Sequence, residues 1–308
     1  MIQDSETHRI PVAGFVGALL VATIWGFNFI AIKIGVAGMP PLFLVAIRFI
    51  LTSFPAIFFI KKPKVPLGYL AVYGLLLGVG QFGLIFTAMK MGAPAGLTSI
   101  MLQSQAFFTA LLAAIFLKER IRLNNVIGMV MAAAGLAAIA FSGTSATLTP
   151  LLIVMILAAA GFWATANIVA KAMPKTDGLS LIVWSSLFSP LPLLGLSLLL
   201  EGKEAIAASL GNLGLVSIGA LAYLVLLSTL FGYGVWNQLI MRFGASRIAP
   251  FSLLIPIFGV SAGALVLGER FSLADGVAAV LVLAGLLVHV FGGPRKIAPL
   301  VPTAPEKP

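Results

Sequence analysis

Ten stretches of this chain are each about 20 residues long, mostly apolar and almost free of charge. They cover residues 12–37, 42–60, 67–88, 95–117, 123–141, 151–171, 179–200, 213–239, 248–267 and 273–291. A helix of that length crosses the hydrocarbon core of a bilayer, and in lipid only helices and closed barrels satisfy their own backbone. Barrel strands alternate over about 10 residues. The runs here are longer and do not alternate, so the expected fold class is an all-α integral membrane protein with ten transmembrane helices. The short breaks carry Pro, Gly or charge, as in Met39-Pro40-Pro41, Lys61-Lys62-Pro63-Lys64, Ser142-Gly143-Thr144 and Gly268-Glu269-Arg270. The first run is too long for a signal-peptide core and is expected to remain as the first helix. The 123–141 run has the least distinct boundaries.

Composition closes off other classes. Hydrophobic residues make up 60% of the chain and charged residues 9%, with a mean hydropathy of +1.13. A water-soluble fold needs more polar residues to cover its surface, which excludes a soluble enzyme, a nucleic-acid binder and a disordered chain. The net charge of +10 is therefore read loop by loop. With the N-terminus in the cytoplasm, fourteen Lys and Arg fall inside, among them Arg9, Lys61, Lys118, Arg242, Arg295, Lys296 and Lys307. Only Lys33, Lys90, Lys203 and Arg270 fall outside. The expected topology is a multi-pass protein of a bacterial inner membrane with both termini cytoplasmic and a disordered, Pro-rich cytoplasmic tail over 292–308. Cysteine is absent, which removes disulfides, thiol chemistry and Cys-based metal sites.

The two halves resemble each other. Lys118-Glu119-Arg120 precedes Gly268-Glu269-Arg270 by 150 positions, and at the same offset Ala134-Gly135-Leu136 meets Ala284-Gly285-Leu286. Trp25 and Lys33 have the spacing of Trp163 and Lys171, with Asn28 and Asn167 one step out of register between them. Each half, 12–141 and 151–291, holds five runs. An odd number inverts the second half in the membrane, which is the inverted repeat of many transporters, with the solute site near the midplane.

These residues carry a specific resemblance. Trp25-Gly26-Phe27-Asn28-Phe29, Arg48-Phe49, Glu119-Arg120 and Glu269-Arg270 resemble the ten-helix members of the drug/metabolite transporter superfamily, with two EamA-type domains. Leu102-Gln103-Ser104-Gln105-Ala106-Phe107-Phe108-Thr109, Gly232-Tyr233-Gly234-Val235-Trp236 and Ala249-Pro250-Phe251-Ser252-Leu253-Leu254-Ile255-Pro256 are similar to the branch that exports cysteine and O-acetylserine. The resemblance implies a metabolite exporter working by alternating access, with no cofactor and a small solute as partner, and a monomer is the favoured state. A same-fold carrier of another amino acid, a purine or a cationic compound is the alternative.

Few polar residues lie within the runs. Amides donate and accept, so they suit a zwitterionic solute. The candidate solute-binding residues are Asn28, Gln81, Gln105, Trp163, Asn167, Tyr233 and Trp236, expected around one central cavity. The amides could equally be glue between helices, and the aromatics an interfacial belt. Thr98, Gln105 and Thr109 form one helical stripe, favoured over Ser99 and Gln103 for the path. Pro256 is a hinge, a local polar site at the carbonyl it frees, or a packing bend. Arg48 is read as snorkelling to the surface or capping carbonyls, ahead of meeting a solute carboxylate. Glu119 and Glu269 are expected to make loop contacts, and His289 to pack. The spans are read as free of Asp and Glu, which disfavours proton-coupled antiport; no Walker-type loop occurs, which disfavours ATP-driven pumping. Uniport down a gradient is expected. An intramembrane enzyme would need a nucleophile–base pair or metal ligands, so no enzyme activity is expected.

Overall fold

The computed structural model describes residues 10–141 and 148–291. The 292–308 tail with Arg295, Lys296 and Lys307, together with Arg9 and the Ser142-Gly143-Thr144 break, lies outside the described residues. Among the described residues every regular element is helical. The chain runs through α1 Val12–Gly38, α2 Pro41–Phe58, α3 Leu67–Lys90 and α4 Ala95–Leu117. It continues through α5 Leu123–Phe141, α6 Pro150–Ala172 and α7, a pair of pieces Gly178–Phe188 and Pro190–Leu200. Then come α8 Leu215–Phe243, α9 Pro250–Leu267 and α10 Leu273–Phe291. Eight of these are long and apolar enough to cross a membrane alone; α7 joins them as one span bent by 44°, and α5 is a shorter apolar helix. With α5 counted as a tenth pass, as the sequence reading expects, the described chain begins at Ile10 and ends at Phe291 on the same face.

Local chemistry sets the ends. Regular α-helix in α2 stops at Ser53, short of the expected 60, because Pro55 lacks an N–H; a 3₁₀ turn, Ala56–Phe58, finishes it. α8 runs past the expected 239 to Phe243, where Gly244 at φ +86° ends it. The expected loop after Glu201 instead opens a short helix, Lys203–Gly211, started by Gly202 and favoured by Glu204 in its first turn.

Helices in lipid associate through close packing at small residues. A Cβ on Gly74 would run into the Ser185 carbonyl and one on Gly78 into the Ser189 side chain, so α3 and α7 pack backbone to backbone at Gly74 and against a small hydroxyl side chain at Gly78. A Cβ on Gly128 would lie 2.5 Å from the Gly285 carbonyl oxygen, and one on Gly135 2.8 Å from that of Ala278, which joins α5 to α10.

Besides the 3₁₀ turns of α2 and α7, Ala56–Phe58 and Ser186–Phe188, four further spans leave α geometry at matching places in the two halves. α3 is π-helical over Leu76–Phe82 and α8 over Tyr223–Phe231. α4 carries a 3₁₀ turn at Leu102–Ser104 and α9 opens with one, Ala249–Leu253. Pro256 then falls in the first turn of the α-helical part, Leu254–Leu267, where a missing N–H costs least.

Candidate functional site

The candidate residues gather into three groups. In the first, α1 meets the π-helical part of α8. The Ser228 hydroxyl donates to Asn28 Oδ1 at 2.7 Å, and Trp25 Nε1 donates to the Ser228 carbonyl at 2.9 Å. The Trp25 ring lies 5.4 Å from Tyr233 and 5.1 Å from Trp236, both tilted. Such pairs make a rigid wall that retains polar handles.

In the second group, Asn167 on α6 donates to Gln105 Oε1 at 3.0 Å and to Thr109 Oγ1 at 3.2 Å. Thr98 does not join this cluster. It is fully buried and bonds Pro94 O at 2.6 Å, because the 3₁₀ turn at Leu102–Ser104 shifts the helical register between it and Gln105.

The third group surrounds Arg48, and here the expectation of snorkelling is corrected. Arg48 is 2% exposed, Nη2 donates to Thr229 Oγ1 at 3.0 Å, and Cζ lies 4.2 Å from the Phe82 ring centroid. The side chain is enclosed because residues of α3 and α8 pack over it, leaving it no way to the surface. Gln81 is buried beside Phe82 in the same π-helical segment. Trp163 packs between the two largest apolar cores, and Trp184, nearer a span end, donates to Ile60 O at 3.0 Å.

Sequence reasoning missed Ser228 and Thr229. Their signal was a pair of adjacent hydroxyls in the middle of an otherwise apolar run.

The two faces of the array differ. On the face away from the termini, carboxylates cap helix starts. Glu269 Oε1 accepts from Ala95 N at 2.6 Å and its Oε2 from Gly96 N at 2.9 Å, so it closes α4 and does more than the expected loop contact. Glu201 accepts from Leu42 N at 2.7 Å and Phe43 N at 3.2 Å, closing α2. Each carboxylate satisfies N–H groups that a helix start leaves unpaired. Lys33 donates to Met89 O at 3.0 Å and Ala93 O at 2.9 Å, capping the other end of α3. On the face bearing the termini, Glu119 pairs with Lys171 at 3.1 Å, and a cavity of about 910 Å³ opens, lined among others by Thr109, Glu119, Arg120, Asn125, Lys171 and His289. Thr109 connects this cavity to Asn167. His289 contacts Asn125 at 3.2 Å through Nδ1 and the Phe107 ring at 5.1 Å between centroids.

One carboxylate does lie within a span, contrary to the reading of acid-free helices. Asp275, in the first turn of α10, is buried and accepts from Ser272 N at 2.9 Å and Oγ at 2.8 Å, while its own N–H donates to Ser272 Oγ at 3.1 Å. This reciprocal cap is how a buried acid at a helix start is accommodated.

The sequence matches the family model described as the EamA-like transporter family over residues 12–141 and again over 150–291. It is 43% identical over 282 residues to a probable amino-acid metabolite efflux pump of Salmonella typhimurium, covering 89% of this chain and 94% of that protein. A protein of the same description from Escherichia coli K12 is 40% identical over 280 residues, with the same coverage of 89% and 94%. One solved crystal structure superposes with a TM-score of 0.59 at 16% identity, covering 90% of this chain and 95% of that one, a likeness of fold alone. Two matched blocks and two full-length relatives leave one conclusion: the chain belongs to the EamA-like transporter family.

Proposed function

We propose that this transporter exports small amino-acid-like solutes of the cysteine and O-acetylserine class from a bacterial cytoplasm, by alternating access between its two inverted repeats. The observation that carries the reading is the contrast between faces. Repeat-related Glu269 and Glu119 meet, respectively, a closed set of helix caps and an open cavity of about 910 Å³. A carrier needs one face closed while the other is open, and inverted repeats supply the means to exchange them. The two relatives named as amino-acid metabolite efflux pumps support the solute class. Asn28, Gln81, Gln105, Trp163, Asn167, Tyr233 and Trp236 are the residues proposed to hold the solute, with the face bearing the termini in the cytoplasm of an inner-membrane protein.

Transport runs down the solute gradient. The one carboxylate in a described span, Asp275, is held by Ser272 at a helix end, away from any relay across the membrane. Proteoliposomes loaded with labelled cysteine, O-acetylserine and a panel of other solutes test both points. Counterflow of the amino-acid-like members is expected, and it persists when a protonophore collapses the pH gradient. Flux confined to purines or organic cations would replace the solute class; flux lost with the pH gradient would replace the uniport.

A further inference from the structure

Arg48 lies between the two π-helical segments and touches a residue of each. The ring of Phe82, the last residue of the first, lies 4.2 Å from the guanidinium carbon, and Thr229 of the second accepts from Nη2 at 3.0 Å. Thr229 Oγ1 in turn donates five residues back, to Leu224 O at 2.8 Å, so the π geometry itself aims this hydroxyl. π segments within α-helices recur at functional sites.

The guanidinium is buried, yet its Nε and Nη1 have no hydrogen-bond partner. Among the described residues the ion pairs are Lys171–Glu119 and Lys203–Glu204, and neither involves Arg48. A buried cation with unpaired N–H groups is among the costliest arrangements a membrane protein can hold, so it calls for a partner. The faces of Phe82, Phe49 and Phe86 attract the positive charge, at 4.2, 5.9 and 5.9 Å from the guanidinium carbon, but leave the edge N–H groups unanswered. The group that answers them is a carboxylate, which accepts several charge-assisted bonds at once. One cation in an apolar wall balances one negative charge, which favours a monoanion over a phosphate dianion. Thr229 adjoins Ser228, which bonds Asn28. A solute bound by its carboxylate at Arg48 therefore extends toward the Asn28, Trp25 and Tyr233 wall.

We propose that Arg48, clamped between the two π-helical segments, binds the carboxylate of the transported solute, so that acids and zwitterions are carried in preference to their amides. This rests on the transport reading above. The test uses the full chain in proteoliposomes, with cysteine counterflow competed by cysteinamide, which lacks the carboxylate, and by N-acetylcysteine, which keeps it. In the wild type, cysteinamide is expected to compete about tenfold or more weakly than cysteine, and N-acetylcysteine to remain an effective competitor. Arg48→Gln should raise the half-saturating cysteine concentration about tenfold and bring the acid-to-amide ratio toward one; Arg48→Lys should retain part of the preference. If Arg48→Gln fails to reach the membrane folded, Arg48→Lys and the thermal stabilisation of wild type by cysteine against cysteinamide give the same comparison. Wild-type cysteine flux with no acid-over-amide preference overturns the Arg48 assignment alone, as does a preference unchanged in the variants. A wild type that carries no amino-acid-like solute overturns the transport reading, and this assignment with it.

Discussion

Glu119 and Glu269 occupy matching positions 150 residues apart, and Lys33 and Lys171 match through their common spacing from Trp25 and Trp163. On the face away from the termini, Glu269 holds two backbone N–H groups at the start of α4 while Lys33 holds two carbonyls around the end of α3. On the face bearing the termini, the equivalent Glu and Lys hold each other, with side chains 53% and 45% exposed. By the repeat, the N–H groups matching those of Ala95 and Gly96 belong to Ala245 and Ser246, at the start of the helical turn before α9. The same pair of residues thus has two sets of partners. A carboxylate on paired, partly buried helix N–H groups makes bonds of the strong, charge-assisted kind, whereas an exposed ion pair is worth about 0–1 kcal/mol. In the alternating-access cycle proposed above, the comparison makes charged side chains that grip helix ends the means of closure, with letting go costing little because the two side chains can pair with each other.

Three substitutions test this, in order of expected effect. Glu269→Gln removes the charge and one acceptor from the α4 cap and should weaken the closed face by about 2–4 kcal/mol. The chain has no native cysteine, so a single Cys at Ala93, which is fully buried, reports opening directly. Its reaction with an impermeant thiol reagent is expected to accelerate more than tenfold in the Glu269→Gln background; an unchanged rate would break the comparison. Glu201→Gln acts on α2, where one of the two bonds is a long 3.2 Å. It should cost about 1–2 kcal/mol, read as a lowered thermal midpoint in detergent. Glu119→Gln should move that midpoint least, by less than about 1 kcal/mol, and the small effect should vanish at high salt. A loss from Glu119→Gln as large as that from Glu269→Gln would mean that both faces are gripped alike.

The helical membrane fold and most of its spans were legible in the sequence because hydropathy over about 20 residues is a property of the chain alone. The grouping of Trp25, Tyr233 and Trp236 was half legible: their residue types marked them, while their mutual distances depend on how α1 packs on α8. Arg48 was misread for a physical reason. Whether a long cation near a helix end reaches the surface depends on what neighbouring helices lay over it, and Phe82 and Thr229 lie 34 and 181 residues away in sequence. The π and 3₁₀ segments have no periodic signature, and they decide which face Thr98 and Thr229 present. Asp275 was passed over because it falls in an apolar run; its pairing with Ser272 three residues earlier was the available sign of a cap.

The α5–α10 contact has a mechanical consequence. Gly128, Gly135 and Gly285 bring backbone against backbone, which leaves little side-chain bulk between the two helices to re-pack as the rest of the molecule moves. Such a joint resists both separation and sliding, and what it leaves free is tilting. For a lever pivoting there, a tilt of about 10° displaces a point ten residues along a helix by about 2.6 Å. That is enough to carry a carboxylate out of hydrogen-bonding range at one face while bringing its counterpart within range at the other. Gly128→Leu would wedge the joint, and cross-linking rates between cysteines on opposite sides of it should then stop responding to solute; if they still respond, the pivot lies elsewhere.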